Sequence, residues 1–354
     1  MREIPYKDFS FTTHKKNWQR DALNVCKLEL TFKCGLHCRH CYSDCYNRDS
    51  CIKEELKTQD VKYTLDKLYA SGIIWLCFTG GDPLTRNDFL DIYTYAKTKG
   101  FIISIFSNGY SMTETIAAYL QKTPPFSFEI TLNAVTRKRY EEISQVKGSF
   151  GRTMAGIDML IEKKLPLKIK TQITQQNFDE LKQIEHFIIG LRLKPTMNFA
   201  LCPRLNGDLE PTRLRIPPEQ VRSLKVRENT SSEYCKKNQN GNSKPKHTGL
   251  FLCAIDGDGI HIDPYGNAFP CNLIRKPNFN LLKTNIELVR AELLSLARGK
   301  KFTTSSGCRF CNLRQNCLNC PGNSYLETGD QERPVDYYCK LAKEVLHVNK
   351  MDAV

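Results

Sequence analysis

The chain has 354 residues, 40% hydrophobic and 25% charged, enough for one large domain with a real core plus a smaller one. Its polar, basic opening from Met1 to Arg20 and the lack of any apolar run of membrane-spanning length argue against a secretory signal, a membrane partner and a short disulfide-stapled secreted fold. The formal charge of +14 raises nucleic acid as a partner, but Lys and Arg are scattered as on a solvated surface, and metal-bound thiolates would cancel part of the excess, so no nucleic-acid partner is expected.

The 16 cysteines are placed for metal rather than for disulfides, which implies a reducing, cytoplasmic compartment. After an arm of 25 residues, a strand over Lys27–Phe32 runs into Cys34-x3-Cys38-x2-Cys41. Thiolates at that spacing wrap one corner of an iron–sulfur cube and leave the fourth iron open for a substrate; a zinc knuckle with a distant fourth ligand is the plainer alternative. A helical pattern over Glu54–Ala70 stops at Gly72. The strand Ile73–Phe78 then ends in Thr79-Gly80-Gly81-Asp82-Pro83, where glycines admit a ligand close to the backbone and the carbonyls and Asp82 suit an ammonium group; alone, this reads equally as a turn.

A helix over Asp88–Lys99 leads to the strand Phe101–Phe106 and the polar turn Ser107-Asn108-Gly109, suited to ribose hydroxyls or simply a turn. The strands Ser127–Leu132, Leu167–Ile173 and Thr196–Leu201 follow, separated by helical patterns at Met154–Lys164 and Phe178–Ile189. Apolar strands alternating with amphipathic helices predict an α/β fold with a parallel sheet, a partial (β/α)6 barrel of the TIM-like kind, with its chemistry at the C-terminal strand ends. Cys202 lies at the end of the sixth strand. A thiol facing the barrel mouth there is a candidate hydrogen donor to a carbon radical, against the bland reading of a core or lid cysteine.

Residues 229–250 are polar and read as a linker or mobile loop. Beyond them lie Cys253 and Cys271, bracketing a hairpin that turns at Pro264-Tyr265-Gly266. Then come Cys308-x2-Cys311-x5-Cys317-x2-Cys320 and Cys339, which by spacing alone also suit a zinc ribbon.

Together the three thiols, the Gly-Gly-Asp-Pro loop and the Ser107–Asn108 turn resemble the radical S-adenosylmethionine (SAM) superfamily. Its first motif is C-x3-C-x-aromatic-C, with His40 here in the aromatic place, and its second is usually Gly-Gly-Glu-Pro, with Asp82 here one methylene shorter. The resemblance continues through Thr136–Phe150 and Lys170–Asn177. It implies a SAM-binding [4Fe-4S] cluster on Cys34, Cys38 and Cys41, and SAM contacts from Gly80, Gly81, Asp82, Pro83, Ser107, Asn108 and, at the polar position of the fourth strand, Thr131. The C-terminal cysteines resemble the SPASM domain, a small cysteine-rich α+β extension that carries auxiliary clusters. One [4Fe-4S] cluster would then use Cys253, Cys271 and Cys320 without an obvious fourth thiolate, and another Cys308, Cys311, Cys317 and Cys339. That makes three clusters in all.

The implied organisation is an arm over 1–25, the radical SAM barrel over 26–228, a linker over 229–250, the SPASM domain over 251–345 and a tail over 346–354. The implied activity is reductive cleavage of SAM and hydrogen abstraction from a peptide, in the maturation of a ribosomally made peptide by crosslinking, epimerisation or excision. Expected partners are the peptide, recognised through a separate leader-binding protein or directly by the barrel, since 25 residues are too few for a leader-binding fold here, and a flavodoxin or ferredoxin-type reductant. The alternatives are a radical SAM/SPASM enzyme of small-molecule cofactor synthesis (haem- or quinone-type) and a non-catalytic zinc module.

Overall fold

The structure is a computed structural model that describes residues 4–20, 22–43, 49–223, 249–251, 259–314 and 317–351. Six parallel strands form its centre: β1 (Val25–Thr31), β2 (Trp75–Gly80), β3 (Ile102–Ser107), β4 (Ser127–Thr131), β5 (Leu167–Gln172) and β6 (Thr196–Asn198), paired in sequence order. This is the mixed α/β architecture with a parallel sheet that the alternating pattern predicts. The described part of the polar stretch ends at 223 and resumes at 249, so the expected linker lies almost wholly outside the described residues.

Strand register explains which residues pack. Leu28 stands beside Phe78, Phe78 beside Ile105, Ile105 beside Phe128 and Ile130 beside Ile169, a continuous apolar face. The helices lie on it, bringing Leu65 and Leu68 from Thr58–Ala70, Phe89, Ile92 and Tyr93 from Phe89–Thr98, Ile157 and Leu160 from Ser149–Glu162, and Ile184 and Ile188 from Leu181–Gly190. All are essentially inaccessible, and each such side chain contributes roughly 1.5–3 kcal/mol of burial.

The opposite face is polar. The row Lys27, Cys77, Ser104 and Ser127 and the next row, with Glu29, Thr79, Phe106, Glu129 and Lys168, line the lumen. Glu29 is 1% exposed, accepts from Arg275 Nη2 at 2.9 Å and lies 3.3 Å from His261 Nε2; Glu129 pairs with Lys168 and Lys170. Burial alone would raise the Glu29 carboxyl, but the neighbouring His261 and the Arg275 charge outweigh it and hold the group down to about 2.

Three features differ from the sequence expectation. The sixth strand stops at Asn198 rather than Leu201, because the Asn198 side chain captures the Ala200 N–H at 3.0 Å and bends the chain. The N-terminal arm contains a helix, α1 (Tyr6–Gln19), lying across the N-terminal strand ends: Tyr6 accepts from Trp75 Nε1 at 2.9 Å, and His14 stacks on the Trp75 ring at 4.5 Å. The cysteine-rich region continues the barrel's sheet. Strand β7 (Gly259–Ile262) pairs in parallel with β1, and β8 (Asn267–Phe269) folds back on β7 through the Pro-Tyr-Gly turn, followed by the short β9 (Phe279–Asn280). Helices α2 (Ile286–Gly299), α3 (Pro321–Thr328) and α4 (Asp336–Met351) complete it. Among the described residues no helix is long and apolar enough to cross a membrane.

Candidate active site

The cysteine loop leaves β1 at the C-terminal end of the barrel and is gripped from every side. The Cys34 thiol accepts from Leu36 N–H at 3.4 Å and Asn108 Nδ2 at 3.3 Å, and His37 N–H reaches the carbonyl of Ser144 at 2.9 Å. Arg204, 9% exposed, donates from Nη1 to the Cys41 carbonyl at 2.9 Å and from Nη2 to that of Arg39 at 3.3 Å. Gly35 lies flat under Tyr110, whose ring would stand 2.2 Å from a Cβ.

The three thiols share this pocket. Burial, then the Asp82 charge, pushes Cys34 up to about 12; burial and the other two thiols raise Cys38 well above its usual value. Buried thiols that repel one another's ionisation lack a positive charge, which a metal centre supplies as it displaces their protons. The donor set therefore fits an iron–sulfur cluster. Among the described residues no three His, Cys, Asp or Glu side chains converge tightly enough to grip a single ion; a four-iron cube spreads its thiolates more widely.

Beside the thiols, Gly80 and Gly81 run so close to β1 that a Cβ would meet the Thr31 oxygen at 2.2 Å and the Lys33 oxygen at 2.4 Å; Gly80 also has φ +135°. The absent side chains thus admit the cysteine loop itself, which the sequence alone did not reveal. Asp82 is fully buried and its carboxylate is engaged within the protein: Oδ1 accepts from Leu84 N–H at 3.0 Å, Oδ2 from Ser107 Oγ at 2.8 Å and Asn108 N–H at 3.1 Å. Burial pushes this carboxyl up to about 6. Asp82 and Ser107 therefore tie the second strand loop to the third, while Pro83 opens a single 3-10 turn. Thr131 ends β4, facing Lys170. His40 is half-buried and held neutral, its pKa lowered to about 4 by desolvation of the ring and then Arg204, and its Nε2 lies 3.3 Å from Asn133 Nδ2.

In the C-terminal region, Cys308, Cys311, Cys317 and Cys339 come together: Cys317 lies near the other three and Cys339 near Cys308 and Cys311, and Cys317 is pushed up to about 11 by burial first. Cys320 stands apart as the N-cap of α3, accepting from Asn323 N–H at 3.4 Å. Cys271 closes a small bridge with Ile274. Cys202 is half-buried and beside Cys271, Arg215 and Glu327. Cys253, Cys45 and Cys235 lie outside the described residues. Sequence reasoning missed Arg204, Asn133 and Glu180, the last accepting from Thr136 Oγ1 at 2.6 Å; nothing in local spacing singles out side chains that act across the barrel.

The family model for the radical SAM superfamily matches residues 28–188, from β1 through the helix after β5. Residues 28–188 form a radical SAM domain. As a radical SAM enzyme it uses SAM with a [4Fe-4S] cluster. It is 24% identical over 345 residues to an AdoMet-dependent heme synthase of Methanosarcina barkeri, covering 88% of this chain and 94% of that one. It is 29% identical over 188 residues to the mycofactocin maturase MftC of Mycolicibacterium smegmatis, covering 53% of this chain and 43% of MftC. Two further heme synthases are matched over only 52% and 57% of their length. The fold is also that of SuiB from Streptococcus suis, solved with its precursor peptide SuiA, at a TM-score of 0.69 and 15% identity over 96% of this chain and 82% of that one.

Proposed function

We propose that the radical SAM enzyme modifies a peptide, abstracting hydrogen from one of its carbons during maturation of a ribosomally made precursor. The observation that carries this reading is the lumen. The lumen is polar: Glu29 pairs with Arg275 beside His261, and the partly exposed Lys168 and Lys170 pair with Glu129, charged groups of the kind that hold a peptide chain.

Cys34, Cys38 and Cys41 hold the SAM-binding cluster in this reading. The carbonyls of Gly80 and Gly81 accept from the SAM ammonium, while the Gly81 and Asp82 N–H groups hold the loop to the Thr31 and Lys33 carbonyls at 2.7 and 2.9 Å. Asp82, Pro83 and Ser107 position that loop, and Asn108 and Thr131 border the nucleoside. When bound, cluster and SAM supply an electron and a deoxyadenosyl radical. Two auxiliary [4Fe-4S] clusters use Cys308, Cys311, Cys317 and Cys339, and Cys271, Cys320 and Cys253. A flavodoxin or ferredoxin-type protein delivers the electrons.

One observation favours a second reading, action on a carboxylate-bearing haem precursor: the similarity to the heme synthase runs over 345 residues, and a charge of +14 suits carboxylates. Anaerobic reconstitution with SAM and reductant, with short peptides encoded beside the gene in one arm and iron coproporphyrin in the other, decides by mass spectrometry. A mass change in the peptide with deoxyadenosine release supports the proposal; turnover of the porphyrin alone overturns it.

A further inference from the structure

We propose that Cys202 is a thiolate ligand of the auxiliary iron–sulfur cluster held by Cys271 and Cys320. The inference rests on the reading of auxiliary clusters above and assigns a ligand that the C-terminal cysteine pattern does not contain.

The chain just before Cys202 is locked in place. The Leu201 carbonyl accepts three hydrogen bonds, from Arg215 Nε at 3.0 Å, Arg215 Nη2 at 2.8 Å and Tyr338 Oη at 2.9 Å. Three donors on one buried carbonyl fix the direction in which the next residue leaves. Those donors tie the barrel to the cysteine-rich region. Tyr338 is on α4, and Arg215 forms a two-pronged pair with Glu327 on α3, at 3.0 and 2.7 Å. The residue capping the start of α3 is Cys320. One frame therefore carries Cys320 and aims Cys202.

The third thiol joins them through packing. A Cβ on Gly322 would stand 2.8 Å from Leu273 Cβ, so the first turn of α3 rests directly on the turn that Cys271 begins. Cys202 lies near Cys271, and Tyr338 lies near both Cys202 and Cys320. Thus a barrel loop, a hairpin end and a helix cap bring three cysteines into one neighbourhood. Arg215, its charge shared with Glu327, stands beside them as a counter-charge for thiolates. A core cysteine would need none of this, and a hydrogen donor would not need a second thiol beside it.

The test uses the full chain carrying Cys34→Ala, Cys38→Ala and Cys41→Ala, so that only auxiliary clusters remain, reconstituted anaerobically. Iron, sulfide and the Mössbauer and electron paramagnetic resonance spectra are compared with those after adding Cys202→Ala, Cys202→Ser or Cys235→Ala. The expected result for Cys202→Ala is loss of about four of roughly eight irons, or conversion of one auxiliary signal to a three-iron type. Cys202→Ser keeps the iron with a shifted signal, which separates ligation from misfolding, and Cys235→Ala changes nothing. Unchanged iron, sulfide and spectra in Cys202→Ala overturn the assignment, as does a change confined to Cys235→Ala. A parent chain that holds zinc, or no sulfide, overturns the auxiliary-cluster reading itself.

Discussion

Arg204 donates to the carbonyl of Cys41, so the loop after the last barrel strand holds the last thiol-bearing residue of the first. The two are 163 residues apart in sequence, and the bond closes the ring of loops around the candidate site. Arg204 is itself fixed by Glu210 at 2.7 Å and Asp208 at 3.0 Å. Arg204→Ala is expected to leave two backbone carbonyls short of a donor, destabilise the chain by about 2 kcal/mol and lower both iron content and deoxyadenosine release several-fold. Arg204→Lys, which keeps charge but loses the fork, should fall between. Iron content equal to the parent in Arg204→Ala would show that the grip is dispensable.

The close approach of Gly81 to β1 makes a sharper forecast. A methyl group there meets fixed backbone oxygens at 2.4 and 2.5 Å, with no flexible side chain to give way. Gly81→Ala should therefore displace the cysteine loop and abolish cluster incorporation. Gly151→Ala, on a helix with nothing within 4 Å, should be neutral or stabilise by up to about 1 kcal/mol. Thermal melts and the absorbance of the reconstituted cluster read both. A brown, fully loaded Gly81→Ala protein would contradict the packing argument.

The barrel and its reactive loops were legible in the sequence because each depends on local information. Strand periodicity marked β1 to β5, and thiol spacing marked the loop after β1. What stayed hidden acts across the sheet. Asp82 reads as a ligand for an ammonium group until Ser107 and Asn108 are seen to occupy its carboxylate. Glu29 and Glu129 sit in strands that look apolar, and only strand register shows that they share a lumen with Arg275 and Lys168. Helices α1 and α2 were missed for different reasons. The first has no clear apolar stripe, whereas Val289, Leu293 and Leu294 of the second form a good one amid cysteines and turns that drew the reading elsewhere.

The buried Glu29 carboxylate gives a pH forecast with a definite sign. Its folded-state pKa is about 2, below the ordinary carboxyl value of 4.5, so its stabilisation is fully present above pH 4.5 and is lost as the pH falls through 2. That shift corresponds to roughly 3 kcal/mol, and Glu29→Gln also leaves Arg275 with a buried, unmatched charge. The variant should be less stable than the parent by about 3 kcal/mol in denaturant titrations, by the same margin at pH 8, 7 and 6. A gap that narrows across that range would assign the stabilisation to another group.

Asn108 donates its side-chain amide to the Cys34 sulfur at 3.3 Å while its own oxygen accepts from Tyr110 N–H at 2.8 Å. The second bond orients the first. A hydrogen bond to a cluster thiolate favours the reduced, more negative state, so removing it lowers the reduction potential. A bond worth about 1 kcal/mol more in the reduced than in the oxidised state corresponds to about 40 mV for one electron. Asn108→Ala is expected to lower the potential of the SAM-binding cluster by roughly that amount, measured by dithionite-mediated redox titration without SAM, and to leave auxiliary cluster potentials unchanged. Asn108→Asp, which keeps the shape but offers no donor and adds negative charge, should lower it further. A potential that stays put in Asn108→Ala while the cluster is fully loaded would mean that the Cys34 sulfur takes its donors from Leu36 and the surrounding loop alone.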